Sequence, residues 1–306
     1  MLAVTVDIED WYHVPAVTGS PFSTFKDVDE FFKHWNQRYD YLTESTRRVL
    51  EILDELNIRA TFFVVADVTE HYPGLVPQIA EQGHEIACHG LHHACKIHPR
   101  TKQPLMSADE FEEKTSQAKR MLEKASGQEV IGYRAPAAYI AGWMFDSLEK
   151  LGFKYDSSVS VNSFYNKSDS QLRGVDTMPY YPRRGSLEPG NEKWILEIPL
   201  SYFKFGLKFP TGGGPILRFL GASYIMLGLK QSLKRGDTLI YFHPIDISSE
   251  KFPDGFSRQR PFYWAVKGEV IRKRVRKMLA LVSSTMNLGT CHDIFINSMQ
   301  ERHESE

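Results

Sequence analysis

The sequence predicts an α/β fold in which βαβ units build a mainly parallel sheet or barrel. Two observations carry this. Short apolar runs alternate with helical patterns along most of the chain, as βαβ units require. Ionisable residues also recur at the carboxyl ends of those runs, the edge at which parallel α/β folds gather their chemistry. The 306 residues can enclose one sizeable core. We read the chain as a single domain over 1–306, with about 250–306 as a C-terminal helical extension.

The elements follow in order. "LAVTVDI" (2–8) is a first strand, and "LTESTRRVLEILDELNI" (42–58) is a helix with Val49, Leu50, Leu53 and Leu56 on its inner face. "ATFFVVA" (60–66) is apolar throughout and reads as a strand buried on both sides. "PGLVPQIAEQG" (73–83) starts with proline and stops with glycine, as a short helix does. "HEIACH" (84–89) is the third strand. In "SADEFEEKTSQAKRMLEKASG" (107–127), Ser107 and Glu110 form a capping box and Gly127 ends the helix. Four more strand candidates are "VIGYRAP" (130–136), "FKYDSSV" (153–159), "WILEIPL" (194–200) and "DTLIYFHP" (237–244). Helices are expected after Ala141 and near Leu217–Leu233. Val14–Tyr39 and Ser160–Lys193 read as long loops that build a binding face. "TGGGP" (211–215) lacks the lysine of a phosphate-binding loop and reads as a tight turn lining the cleft.

Composition excludes several function classes. Net charge is −1, so no broad basic field points to nucleic acid, and attraction to any anionic polymer must be local. The basic tract Lys267–Val282 reads as the solvated face of a docked helix. Three cysteines do not make a disulfide framework, and Cys88 is expected as a buried thiol. The first residues enter strand-like sequence without a leader pattern, and no run approaches the roughly 20 apolar residues of a spanning helix. The expected address is therefore cytoplasmic, with no membrane span.

Asp7, Glu9 and Asp10 end the first strand, and His89, His92 and His93 end the third. Arg134, Asp156 and the pair His243 and Asp246 end later ones. A catalytic zinc-type site needs about three nitrogen or oxygen ligands and an open position for water. If the chain turns helical after the third strand, the spacing in "HGLHH" brings His89 and His93 to one face. His89 with His92 is the alternative pair. Pleat alternation sets Asp7 and Glu9 on one side and Asp10 on the other, but a bend at the strand end leaves the carboxylate ligand open between Glu9 and Asp10.

The motifs taken together resemble the polysaccharide deacetylases of carbohydrate esterase family 4, in the branch whose first motif is an Asp-x-Glu-Asp-aromatic run associated with surface and exported polysaccharide synthesis. "TVDIEDWYHV", "HEIACHGLHH", "GYRAPA", "FKYDSSV" and "LIYFHP" match its five motifs in order. The resemblance implies a deformed (β/α) barrel of about seven strands, and one divalent metal, most often zinc. It also implies removal of N-acetyl groups from an acetamido sugar in a polysaccharide or its oligosaccharide precursor. By position, Asp7 would be the general base, held by Arg134, and His243 the general acid, oriented by Asp156. His89, His93 and, in preference to Glu9, Asp10 would hold the metal. Ala137 stands where the family has a tyrosine whose N–H meets the oxyanion, so only the backbone donor carries over. Trp11 and Tyr12 are expected near the sugar by adjacency, and the fourth motif lacks its tryptophan after Ser158. The rival readings are an inactive carbohydrate-binding barrel, a hydrolase of a small non-peptide amide, and a facial-triad iron site.

Overall fold

The computed structural model describes residues 1–35, 39–250 and 266–300. The strands are β1 (Leu2–Ile8), β2 (Thr61–Val64), β3 (Glu85–Cys88), β4 (Gly132–Tyr133), β5 (Tyr155–Asp156), β6 (Leu196–Glu197), β7 (Tyr202–Phe205), β8 (Leu207–Pro210), β9 (Thr238–Phe242) and β10 (Leu288–Gly289). Seven of them form a parallel sheet in the order β9-β1-β2-β3-β4-β5-β6. β10 pairs with the first residues of β1, ahead of β2 on the same edge. The helices are α1 (Val28–His34), α2 (Thr43–Glu55), α3 (Val68–His71), α4 (Leu75–Glu81), α5 (Ala108–Ser126), α6 (Gly142–Lys150), α7 (Gly214–Phe219), α8 (Gly221–Leu233), α9 (Pro244–Ile247), α10 (Glu269–Thr285) and α11 (Cys291–Gln300). The curved sheet with its surrounding helices is a deformed (β/α) barrel in a single domain.

Local sequence explains the main boundaries. Ser107 Oγ accepts from Glu110 N–H at the start of α5, and Gly127 closes that helix at φ 68°, worth about 1 kcal/mol for the cap. Pleat parity assigns the faces of the sheet. Leu2, Val4, Val6 and Ile8 pack outward against the helices with Phe62, Val64, Ile86 and Cys88. Ala3 packs inward with Phe63, Ala87, Tyr155, Leu196 and Leu239. Cys291 and Ile294 of α11 join that inner cluster, so the last helix plugs the floor of the barrel. Cys291 N–H donates to Thr61 Oγ1 at 2.8 Å and ties the plug to β2. The three cysteines are free thiols and buried.

Register sets the height of everything that follows. Ile8, Val64, Cys88, Tyr133, Asp156 and Glu197 form one lateral row across β1 to β6. Glu9, His89 and Arg134 each come one residue later, so they emerge together at the upper rim. On the other side of β1, Val6 pairs with Phe242, which puts Asp7 level with His243.

Some expectations change. Val14–Tyr39 is not wholly loop: a turn at Trp11–His13 precedes it and helix α1 lies within it. Residues 202–210 form an antiparallel hairpin that the sequence reading did not anticipate. Of the expected C-terminal extension, residues 251–265 and 301–306 lie outside the described residues; the described part is α10, β10 and α11. Among the described residues no helix is long and apolar enough to cross a membrane.

Candidate functional site

The rim encloses a cavity of about 400 Å³, floored by Asp7, Glu9, His89, His93, Arg134 and His243. Its walls include Tyr165, Leu200, Ile216, Tyr241 and Ile245. β1 delivers the two carboxylates by alternation: Asp7 and Glu9 share the inward parity of Ala3. Asp10 has the opposite parity. Its carboxylate accepts from Tyr72 Oη at 2.5 Å and from Trp11 N–H at 2.7 Å, capping the turn at Trp11–His13. Burial pushes its pKa up to about 6. The structure does not bring Asp10 to the two histidines; Glu9 is the carboxylate whose donor atom lies within 4.8 Å of those of His89 and His93, and it also groups with Asp7 and His243.

The two imidazoles are fixed from behind. His89 Nδ1–H donates to Arg134 O at 2.8 Å, and His93 Nδ1–H donates to His13 O at 2.9 Å. Both Nε2 lone pairs consequently face Glu9, at 3.9 Å from His89 and 3.5 Å from His93. Backbone acceptors of this kind hold a metal-ligating histidine in the right tautomer. Burial pushes the pKa of His93 down to about 4, leaving the neutral ring a ligand needs. The donor set of two imidazoles and one carboxylate fits a divalent metal with open positions. The segment after β3 is an irregular loop, not the helical turn expected for the HxxxH spacing. Gly90 at φ 81° and His93 at φ 54° bend it back over the cavity. His92 points away and donates from Nδ1 to Asp67 Oδ2 at 3.0 Å.

Arg134 lies along the barrel interior with its guanidinium 3.9 Å from the centre of the Phe63 ring. It donates to Asp7 Oδ1 at 2.6 Å, to Thr5 Oγ1 at 3.0 Å and to Ser157 O and Oγ at 2.9 Å each. Four bonds on a buried planar group leave Asp7 one orientation, with its free oxygen 3.8 Å from His243 Nε2.

His243 is oriented by Asp246, not by Asp156. The His243 backbone N–H and Nδ1–H both donate to Asp246 Oδ2, at 2.9 and 3.2 Å. Asp246 is the third residue of α9, and Arg218 of α7 pairs with its other oxygen in full burial. Burial alone would lower the pKa of His243, but Glu9 and Asp246 outweigh it and hold the ring well above its ordinary value. Asp156 has outward parity, since its neighbours Tyr155, Leu196 and Ile198 are the inward ones. It accepts from Ser158 N–H and Oγ. Burial raises both its pKa and that of Glu197, with Asp156 adding to the shift at Glu197; this carboxyl pair holds a proton behind the sheet.

The "TGGGP" turn lines the cavity through Gly212 and Gly214. A Cβ on Gly214 would come within 2.3 Å of Asp246 Oδ1, and one on Gly213 within 2.3 Å of the Tyr241 hydroxyl. Only glycine lets Asp246 sit this close to the chain. Ala137, at φ 53°, aims its N–H at His93 Nε2 from 3.3 Å, so the donor faces the ligand cluster. Trp11 and Tyr12 are buried with Phe31 and line no part of this cavity. Adjacency in sequence misled here, because the turn at Trp11–His13 rotates them to the outer side. The structure also brings in Arg218, Lys167 and Tyr165, none of which the motifs marked.

Parts of the chain are similar to known proteins. Residues 24–155 match the family model Polysaccharide deacetylase, and residues 162–295 match a domain of unknown function (DUF3473). A peptidoglycan deacetylase of Helicobacter pylori is 26% identical over 166 residues, covering 51% of this chain and 52% of the relative. A peptidoglycan deacetylase-like protein of Gibberella zeae is 31% identical over 168 residues, covering 51% and 46%. The matched stretch thus spans about half the length of these curated relatives. Among solved structures, a putative polysaccharide deacetylase from Mycobacterium smegmatis superposes with a TM-score of 0.61 at 20% identity, over 98% of this chain and 90% of that one.

Proposed function

Because the chain carries a polysaccharide deacetylase domain, we propose that it hydrolyses N-acetyl groups from an acetamido sugar of a polysaccharide or its oligosaccharide precursor, using a divalent metal held by Glu9, His89 and His93. The observation that supports this most is the convergence of that donor cluster with Asp7 clamped by Arg134 on one side and His243 clamped by Asp246 on the other.

An amide carbonyl is a weak electrophile and an amine a poor leaving group, so the reaction needs help at three points. The metal, when bound, supplies Lewis acidity to the acetyl oxygen and activates a water, with zinc the most suitable ion for this donor set. Asp7 takes the proton of the attacking water, and Arg134 prevents the carboxylate from turning away. The Ala137 N–H meets the charge that develops on the acetyl oxygen, an interaction commonly worth about 3 kcal/mol. His243 then gives its Nε2 proton to the departing nitrogen as the C–N bond breaks, releasing acetate and the free amine. Asp246 keeps Nδ1–H engaged so that Nε2 is the nitrogen facing the cavity.

The deciding experiment is metal quantification of the purified chain alongside acetate release across a panel of N-acetylated glycans. Stoichiometric metal with acetate release is the expected result. Metal without acetate release from any acetylated sugar would favour a binding protein.

A further inference from the structure

The β7–β8 hairpin stands at the cavity rim and has no counterpart in the catalytic reading. Its register pairs Phe203 with Phe209 and Phe205 with Leu207, and pairs Lys204 with Lys208. Alternation therefore gives it one wholly apolar face and one basic face. The tip projects: Phe205 is 78% exposed and Leu207 52%. Phe203 packs edge-on against Tyr224 of α8, and Phe209 contacts Phe164 at 5.0 Å. The apolar surface continues onto Leu220 and Leu227, which are 51% and 57% exposed. Lys230 and Lys234 lie on the Leu227 side of α8, at helical spacings from it.

Charge is as one-sided as the apolar exposure. Between Glu197 and Asp237 there is no acidic residue; of the basic residues there, Arg218 is buried against Asp246 and Arg235 pairs with Asp176, which leaves Lys204, Lys208, Lys230 and Lys234. In a chain of net charge −1 this is a local basic field around a projecting apolar tip. Phe205 and Leu207 project without a hydrogen-bonding group of their own, which suits an acyl boundary better than a hydrated glycan. Apolar tip side chains ringed by lysines are what an interfacial contact with anionic lipid requires.

We propose that the hairpin tip and the adjoining face of α7 and α8 dock on an anionic lipid bilayer. Phe205 and Leu207 enter below the headgroups while Lys204, Lys208 and Lys230 meet the phosphates. The hairpin is fastened to the cavity wall: Ser163 N–H donates to Lys208 O, and Pro210 and Tyr165 line the cavity. A docked chain therefore holds its cavity next to the membrane. Given the deacetylase function proposed above, the acetamido sugar is presented on a lipid carrier.

The test is co-sedimentation of the full chain with vesicles of mixed phosphatidylglycerol and phosphatidylcholine, and with phosphatidylcholine alone. The expected result is binding to the anionic vesicles that weakens with salt. F205S/L207S should weaken it by about tenfold or more, and K204E/K208E should remove its salt dependence. Both variants should keep the wild-type circular dichroism and bound metal, since neither pair lines the cavity. No binding to anionic vesicles, or binding indifferent to the tip, overturns the proposal. So does light scattering that shows a dimer dissolved by F205S/L207S, because a second copy then covers the face. A chain that binds vesicles yet releases no acetate keeps this surface and loses only the catalytic reading.

Discussion

Residues 24–155 and 162–295 each bring imidazole to the same cavity, and they support it differently. In the first region His89 and His93 give their Nδ1–H to backbone carbonyls. In the second His243 gives its Nδ1–H to a carboxylate. A carbonyl fixes the tautomer without adding charge, so the far nitrogen keeps a lone pair suited to a cation. A carboxylate adds a negative charge that favours imidazolium, so the far nitrogen keeps a proton to give. Under the proposed function, one residue type thus serves as ligand or acid according to what lies behind it. β1 stands before both regions and contributes the carboxylates between them: Glu9 faces His89, His93 and also His243 at 3.1 Å, and Asp7 faces His243.

The largest expected effects test the ligand half of that contrast. His89→Ala and Glu9→Gln should each lose bound metal and acetate release together. Asp7→Asn should keep metal near the wild-type level while acetate release falls about 10²–10⁴-fold, the usual range for a general base. Asp10→Asn should also keep its metal. It should cost about 1 kcal/mol in a urea midpoint, for weakened acceptance from Tyr72 and Trp11. Metal loss in Asp10→Asn with retention in Glu9→Gln would return the ligand role to Asp10.

A smaller effect tests the acid half. Asp246→Asn removes the carboxylate behind His243 Nδ1 while Glu9 still faces Nε2, and kcat should fall about 10²-fold with metal content unchanged. Arg218→Met leaves Asp246 buried without the cation that pairs with it, which should lower stability by about 3–5 kcal/mol. The double variant Asp246→Asn/Arg218→Met should regain much of that stability, because a removed pair costs less than a broken one. It should not regain kcat. Recovery of both would mean that Asp246 matters only as a member of a structural ion pair.

What the sequence revealed of this site follows the range of the forces involved. Strand-end positions were readable because alternation is local, and pleat parity alone places Asp7 with Glu9 and against Asp10. The motif resemblance favoured Asp10 as ligand, whereas the structure places Glu9 with the two histidines, as the pleat does. Asp246 was within reach, since His243-Pro-Ile-Asp246 has the spacing of a helix start whose third residue turns back to the cap. Arg218 was not, because the α7–α9 contact that joins it to Asp246 leaves no periodic trace. Asp156 went astray for the same reason: its pairing with Glu197 depends on β5–β6 register between strands some forty residues apart. The hairpin at 202–210 was legible in principle, as "YFKFGLKFP" alternates around a glycine.

The smallest effect uses a third kind of histidine support. His84 is buried against Phe62, and its Nδ1 accepts from Ala60 N–H at 3.2 Å instead of donating. A ring that accepts at this position resists protonation, and burial lowers its pKa from 6.5 to about 4. The unfolded chain therefore binds more protons between those values, so stability is full above pH 6.5 and declines as pH falls toward 4. Between pH 7 and pH 5 this group should account for about 2 kcal/mol. His84→Asn can keep the Ala60 bond through its side-chain oxygen without titrating. Urea midpoints at pH 7 and 5 should therefore converge in the variant relative to the wild-type chain. An unchanged pH dependence would show that His84 is protonated without loss, and that an accepting nitrogen does not keep a buried imidazole neutral here.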